Sequence, residues 1–420
     1  MDTMTQNIDL KNLDKSTWRT FRFDQLAQKV SETVDPKTTD LEIYVGLEHL
    51  DRESIHLKRK GVPSDVSGGK LKCYPGDVIF GKRRAYQRKA AIVDFEGICS
   101  AHAFVLRANP EVIDPDLFTF FLHSDLFMHC AVDISVGGLS PTINWGQLKE
   151  QEFLLPPKDQ QAQLAKLLWA MDEVIENEKG AESILIKLYK KSIEQSLLGG
   201  IKKDISQFEK KPGFLPNKLP ELPVDWKYSK VSEHIWFQEG PGVRSTQFRE
   251  DGVKLLNGTN INDNVLNLAS TNRHVSENEA FGTYSHFLCD EGDLIIACSG
   301  ITVESFDEKI AYVNINHLPL CMNTSTMRFK VLNGDIELDF FKYFLMSQLF
   351  KFQIKRLITG SAQLNFGPFH MGKIYLPLPS IDEQRNIIKR LNKIQDSLSN
   401  LESKISVTKS LQKSLINQVF

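Results

Sequence analysis

Two stretches of the chain place apolar residues in alternating steps of four and three. In residues 380–420 these are Ile387, Leu391, Ile394, Leu398, Leu401 and Ile405, followed by Leu415 and Val419. In residues 159–198, Leu164, Leu168, Met171 and Ile175 keep the same rhythm, which shifts near Glu178 and resumes at Ile184, Leu185 and Leu188. Such spacing predicts two long helices joined along a coiled-coil seam. At 1.5 Å per residue each is about 60 Å long. Ser380 and Glu383 stand at capping-box spacing where the second helix begins, and Gly199 and Gly200 stop the first. Residues 18–157 and 226–379 differ in kind: short β-branched and aromatic runs, Gly/Asn/Asp turns and one Phe-rich helix each, an α+β pattern.

The chain repeats itself. STWRTF at 16–21 matches VDWKYS at 224–229, and CYPGDVI at 73–79 matches CDEGDLI at 289–295. ICSAHAFVLR (98–107) matches LCMNTSTMRF (320–329), each reading as one alternating strand, and DLFTFFLHSDLF (116–127) matches DFFKYFLMSQLF (339–350), each reading as one amphipathic helix. LSPTINWGQLKEQEFLLPPKDQQAQLAKLL (139–168) then matches TGSAQLNFGPFHMGKIYLPLPSIDEQRNIIKRL (359–391). The offset drifts from about 208 to 223 residues, so a duplicated unit has gained short insertions. The expected layout is a first domain at 1–157, a long helix at 158–200, a Pro/Lys-rich extended linker at 201–225, a second domain at 226–379 and a second long helix at 380–420. Pseudo-two-fold symmetry between the halves makes the two helices antiparallel.

At 420 residues the chain is long enough for two or three cores. It has no apolar run long enough for a transmembrane helix, and its polar, acid-bearing start does not fit a signal peptide, so a cytoplasmic protein is expected. Cys73, Cys99, Cys130, Cys289, Cys298 and Cys321 are scattered, without CxxC or zinc-finger spacing, and read as free thiols. The net charge of −2 makes any nucleic-acid surface a local patch.

Catalytic signatures are missing. There is no GxxxxGK[ST], no GxGxxG after a strand, no GxSxG, no HxE with PCxxC, and no Pro-Pro-aromatic tetrapeptide of the kind amino-methyltransferases use, LPPK at 155–158 lacking both acid and aromatic. The histidines are dispersed. The chain is therefore read as a non-catalytic binding protein with no metal site.

The binding signal is basic. Between Lys58 and Lys89 lie Lys58, Arg59, Lys60, Lys70, Lys72, Lys82, Arg83, Arg84, Arg88 and Lys89 against only Asp65 and Asp77, with Tyr86 and Gln87 among the arginines. Such a surface neutralises phosphates and touches base edges. The second half offers amides instead: Arg244, Gln247, Arg249, Asn257, Asn260, Asn262, Asn264, Asn272 and Arg273. A shared scaffold with different polar surfaces is expected if the halves read different things.

Asn144, Trp145, Pro156, Pro157 and Gln161 in one half, and Asn365, Phe366, Pro377, Pro379, Glu383 and Gln384 in the other, each followed by a long Leu/Ile helix, resemble the specificity subunits of type I restriction-modification systems. GDVIFGKRRAYQRKAAIV (76–93) and GDLIIACSG (292–300) resemble the Gly-Asp strands of that family's target-recognition domains. Gln160 departs from the usual Glu-Gln pair. The resemblance implies two target-recognition domains, each reading half of a split duplex DNA target, held on an antiparallel helical spacer. It also implies two modification subunits, which carry S-adenosylmethionine and methylate adenine, and motor-nuclease subunits. An assembly scaffold with two protein-binding domains is the alternative from another class, and a fused nuclease-methylase partner remains open. No residue-to-base code applies to irregular loops, so the recognised bases are not readable.

Overall fold

The computed structural model describes residues 13–199, 208–210, 221–358 and 364–420. Most of the expected linker, Gly200, and residues 359–363 of the later repeat lie outside the described residues. Within the linker span, Phe208–Lys210 pairs antiparallel with Glu221–Pro223. The chain divides into two compact units, Met1–Ala181 with Leu401–Phe420, and Glu182–Asn400.

The two units repeat one plan. In the first, the strands Ala27–Val30, Ala103–Ala108, Val78–Gly81 and Ala90–Ile92 form an antiparallel sheet in that order. In the second, Ile235–Glu239, Thr326–Val331, Leu294–Ala297 and Ile310–Tyr312 form its counterpart. A smaller sheet follows in each, with one parallel pair: Tyr44–Val45 beside Gly97–Cys99, and Val253–Leu255 beside Leu320–Cys321. Each of the two segments expected to be one strand is thus split, its halves serving different sheets across a turn at residues 100–102 or 323–325.

The Phe-rich segments also break. Pro115–Phe121 and Asp125–Asp133 are separate helices, as are Leu338–Met346 and Gln348–Leu357. The cause is a serine at the same place in each: Ser124 Oγ accepts from Phe127 N (3.1 Å) and donates to Phe121 O (2.7 Å), and Ser347 does the same with Phe350 N and Phe344 O. One hydroxyl ends one helix and caps the next. The phenylalanines of these helices fill the cores, with Phe118, Phe121 and Phe127 around Phe23 and Phe153, and Phe341, Phe344 and Phe350 beside Phe329 and Phe366.

The long helices are Lys158–Leu197 and Ile381–Val419. In the first unit Leu164, Leu168 and half-buried Met171 share a core with Leu415, Ile416 and Val419, Gln412 Nε2 donates to Leu168 O (3.2 Å), and Lys404 pairs with Glu178 at 2.6 Å. In the second, Tyr189 and Ile193 share a core with Ile387, Leu391 and Leu398, and Tyr189 Oη donates to Gln395 Oε1 (3.1 Å). In the first unit Leu168 meets Gln412 and Glu178 meets Lys404, rising numbers against falling ones, so the pairing there is antiparallel. Ile175, Leu398 and Ile405 are buried, while Leu185, Ile394 and Leu401 are half-buried.

Leu188 and Ile184 do not join the seam; they are 50 % and 69 % exposed. Buried Glu178 carries the seam through the expected break, and from Leu185 it advances in fours to Tyr189, Ile193 and Leu197. Steps of four drift away from a heptad. They turn this end of the helix toward Phe344 and Phe350, with which these residues share a core.

Each helix is bolted to its domain by a buried glutamine in its first turn. Gln161 Nε2 donates to Val112 O (3.0 Å) and Pro156 O (2.8 Å), and its Oε1 accepts from Asp114 N (2.7 Å). Gln384 repeats all three, to Asp335 O (2.9 Å), Pro379 O (3.0 Å) and from Glu337 N (2.9 Å). The expected capping box at Ser380 is only half made. Glu383 N donates to Ser380 Oγ at 3.4 Å, but the Glu383 carboxylate accepts from Trp226 Nε1 (3.0 Å) instead of reaching back to the cap. Gln160 stands at the matching place in the first half, and the buried Trp18 Nε1 has no hydrogen-bond partner among the described residues.

Gln161→Ala and Gln384→Ala each strand a buried N–H and two carbonyls. Each substitution is expected to cost about 2–3 kcal/mol in urea unfolding. Amide exchange should rise at Asp114 in the first case and at Glu337 in the second.

Candidate nucleic-acid interface

The Gly-Asp turns build the frame from which polar side chains are presented. Gly76 and Gly292 have φ of +88° and +83°, a conformation open to glycine. The aspartates that follow are buried. Asp77 accepts from Tyr74 N (3.0 Å) and from Arg107 through both carboxylate oxygens (2.7 and 3.0 Å); Asp293 accepts from Asp290 N (2.9 Å) and Arg328 (3.1 Å). These residues hold neighbouring strands together and are not available to a ligand.

At the far end of the same strands the chain turns through the left-handed region: Arg84 has φ +58° and Gly300, the equivalent residue, +73°. Both turns are clamped by the segment that precedes the helix hinge. Ile143 N donates to Lys82 O (3.0 Å) and Phe366 N to Cys298 O (3.0 Å), while Arg84 N donates to Pro141 O (2.7 Å) and Gly300 N to Asn365 Oδ1 (3.2 Å). Matched in space, Thr142 corresponds to Asn365 and Ile143 to Phe366, an offset of 223 that also relates Gln161 to Gln384. The Asn144-Trp145 to Asn365-Phe366 match, offset by 221, is therefore slid by two residues. Asn144 and Gly367 are the residues that precede the short helices Trp145–Leu148 and Pro368–Met371.

The basic cluster does not form one surface. Several of its members have internal partners: Lys58 with Glu176 (2.6 Å), Arg59 with Asp51 (2.5 Å), Lys60 with Asp94 (3.4 Å) and over Phe95, Lys72 with Glu96 (2.8 Å), Lys70 on the carbonyls of Ser67 and Gly68, and Lys89 on Leu47 O (2.7 Å). Arg88 is turned inward, its side chain 13 % exposed, donating to His123 O (2.8 Å) and pairing with Asp125 (2.7 Å) and Glu53 (3.3 Å). Left on the surface are Arg83 and Tyr86, both without a side-chain partner among the described residues, half-buried Gln87, and Arg84, whose Nε and Nη2 both donate to Ser140 Oγ (3.2 Å). Lys82 lies over Phe104, and burial lowers its pKa.

In the second unit the amides converge. Asn257, Asn260, Asn272 and Arg273 line a cleft of about 440 Å³ with Ser299, Gly300 and Ser325. Asn260 is structural: 4 % exposed, it accepts from Asn257 N (2.9 Å) and donates to Asn267 O (3.1 Å) and Thr271 Oγ1 (2.9 Å). Asn257 accepts from Asn323 (2.8 Å), Asn272 is exposed, and Arg273 lies over Phe248 at 5.0 Å. Gln247 is held by Glu279 and Tyr284, and Arg249 by the carbonyls of Thr246 and Phe248, while Arg244 is exposed. Asn262 accepts from Lys309, and Asn264 takes φ +60°. Ser299 was missed in the sequence: it occupies the place of Arg83, and only the aligned Gly-Asp strands could have found it.

Residues 15–188 and 223–408 match the profile of the type I restriction modification DNA specificity domain. The chain belongs to that family. A specificity subunit of the type I restriction enzyme MjaVIII of Methanocaldococcus jannaschii is 27% identical over 250 residues, 60% of this chain and 56% of the relative. The putative MjaX specificity subunit of the same organism is 24% identical over 370 residues, 83% of this chain and 79% of the relative. The chain thus spans little more than half of the first relative. An S subunit from M. genitalium shares the fold, with a TM-score of 0.55 and 16% identity over 97% of this chain and 98% of that one. A chain from a structure of type I R-M complex assembly gives 0.57 at 16% identity, over 96% and 97%. Among the described residues no group of three or more His, Cys, Asp or Glu could hold a metal ion, and no helix is long and apolar enough to cross a membrane. Burial pushes the Cys73, Cys289 and Cys298 thiols up to about 12.

Two outcomes test this frame. A Cβ at Gly300 meets nothing within 4 Å, so Gly300→Val is strained only through its backbone. It should destabilise by about 1–2 kcal/mol in thermal unfolding, whereas Gly300→Asn, which tolerates this conformation, should cost less. Burial pushes His123, against Ala90 O, down to about 4. Because an unfolded histidine titrates near 6.5, protons favour the unfolded chain as pH falls from there to 4, removing about 3 kcal/mol. His56, raised chiefly by its bond to Asp172 (2.6 Å), works oppositely, its stabilisation fading as pH rises above 6.5. Urea midpoints should therefore peak near neutral pH, and His123→Gln should flatten the acid side.

Proposed function

We propose that the chain is the DNA-recognition subunit of a type I restriction-modification complex, reading a bipartite duplex target without catalysing a reaction itself. One observation carries this: the same clamped left-handed turn occurs in both units with different chemistry, Arg83-Arg84 in one and Ser299-Gly300 in the other. Two readers of one build with unlike side chains suit a target made of two unlike halves. Domains at 1–157 and 226–379 would read, and the helices at 158–200 and 380–420 would set the gap, as half-site spacing follows from the separation of paired readers. In the first domain Arg83, Arg84, Tyr86 and Gln87 are the residues for base and phosphate contact, with Lys82, Lys70 and Lys89, which have no acidic partner among the described residues, supporting the potential. In the second they are Arg244, Asn257, Asn272, Arg273 and Ser299. The partners are two modification subunits, bearing the S-adenosylmethionine, and the motor-nuclease subunits, in the cytoplasm.

Mapping methylated adenines in cells expressing the chain with its modification partner should return one split sequence. The purified assembly should retard that duplex and lose it when the gap changes by one base pair; indifference to the gap would sink the reading. Arg83→Ala should weaken binding at one half-site and lower the slope of log affinity against log salt by about one.

A further inference from the structure

Leu139 is 96 % exposed, more than any other large apolar side chain among the described residues. Scattered exposed leucines are ordinary, but this one is held on a built tip. Val136 and Thr142 exchange backbone hydrogen bonds (3.1 and 2.9 Å) to close the loop Gly137–Pro141, and Gly137 takes φ +113° to make the turn. Thr142 Oγ1 donates to Ser140 O (3.2 Å) across it. Ser140 Oγ then accepts two bonds from the Arg84 guanidinium, and Pro141 O accepts from Arg84 N. The loop is thereby fastened to the one that carries Arg83 and Tyr86.

Of the cations near this tip, Arg88 is paired with Asp125 and Glu53 and Lys149 with Glu150, which leaves Lys82, Arg83 and Arg84 without an acidic partner among the described residues. What fits an apolar tip flanked by cations is a partner that is anionic outside and apolar inside. A duplex groove has phosphates on its rims and, in the major groove, the thymine methyl on its floor.

Resting on the reading above, we infer that Leu139 is a specificity-determining residue of the first domain: it enters the major groove between phosphates held by Arg83 and Arg84 and packs on a thymine methyl. Besides its phosphate contact, Arg84 sets where the tip points, through its bonds to Ser140 Oγ and Pro141 O.

The test uses the full chain assembled with its modification subunit, and as probe the bipartite duplex returned by methylation mapping. Leu139→Ser should weaken binding about tenfold through one half-site, leave the salt slope and the thermal unfolding unchanged, and relax the choice at one base pair; Leu139→Met should restore it. Replacing that thymine by deoxyuridine, which removes only the methyl, should weaken the wild type but not Leu139→Ser. The inference is overturned if the wild type selects the bipartite duplex and Leu139→Ser selects it equally well, or if the substitution instead releases the modification subunit, which would make the tip a protein contact. A wild type that ignores sequence altogether would take down the functional reading first.

Discussion

In each half the join between the globular domain and the start of its long helix is centred on one buried amide. Gln161 is 1 % and Gln384 0 % exposed, and each makes three hydrogen bonds to backbone groups of two different segments. A buried amide left unsatisfied costs more than a satisfied one gains, so the side chain has one low-energy placement. That placement ties the proline hinge, the loop leading into the Phe-rich helices and the first helical turn to one another. The exit angle of the helix is thereby set by hydrogen-bond geometry, with the prolines restricting the chain just before it. The same bolt at an offset of 223 residues gives both units the same join.

The helices extend this correspondence inside each unit. Asn417 Oδ1 accepts from Asp125 N (2.8 Å) at the second Phe-rich helix of the first domain, and Glu194 Oε1 accepts from Gln348 N (2.7 Å) at that of the second. Residues 194 and 417 are again 223 apart. Each domain is gripped by the beginning of its own helix and by the end of the other, which is what a duplicated unit with antiparallel helices requires. The grip is not identical in chemistry: a neutral amide serves one domain and a carboxylate the other. Likewise Glu383 satisfies Trp226 while Gln160 leaves Trp18 Nε1 without a partner among the described residues.

How much of this was legible depends on which physical signal carried it. The repeat, the α+β domains, the two helices and the family were readable because period and order survive small insertions. Gln161 and Gln384 stood out as motif residues, although nothing in the sequence disclosed that their amides point inward. Registers were harder. Two Asn-aromatic dipeptides aligned the repeats two residues out, because composition cannot distinguish an asparagine that precedes a helix from one that fastens a turn. Leu188 fitted a heptad, but the heptad gave way where helix and domain share a core. A run of cations likewise cannot show which members have acids folded against them. Arg88 and Arg83 read alike in the sequence, and only the fold brings Asp125 and Glu53 to one and leaves the other bare.

The division between frame and surface explains how two domains can share so much and still present different side chains. The polar groups that hold the frame, Asp77 with Arg107 and Asp293 with Arg328, are satisfied within each domain. Their energy does not depend on what the turn beyond the strand carries. At that turn the backbone is held by carbonyls and amides of the neighbouring segment, so Arg83 can be exchanged for serine without loosening a core contact. Arg84 is the exception, since a non-glycine residue at φ +58° carries strain of about 1 kcal/mol or more. Glycine at the matching position of the second unit avoids that strain. What the arginine brings instead is two bonds to Ser140 and a fixed direction for the adjoining loop. Strain accepted at a surface turn, where it strengthens no core, is accounted for by the position it gives Arg83, Tyr86 and the Leu139 tip.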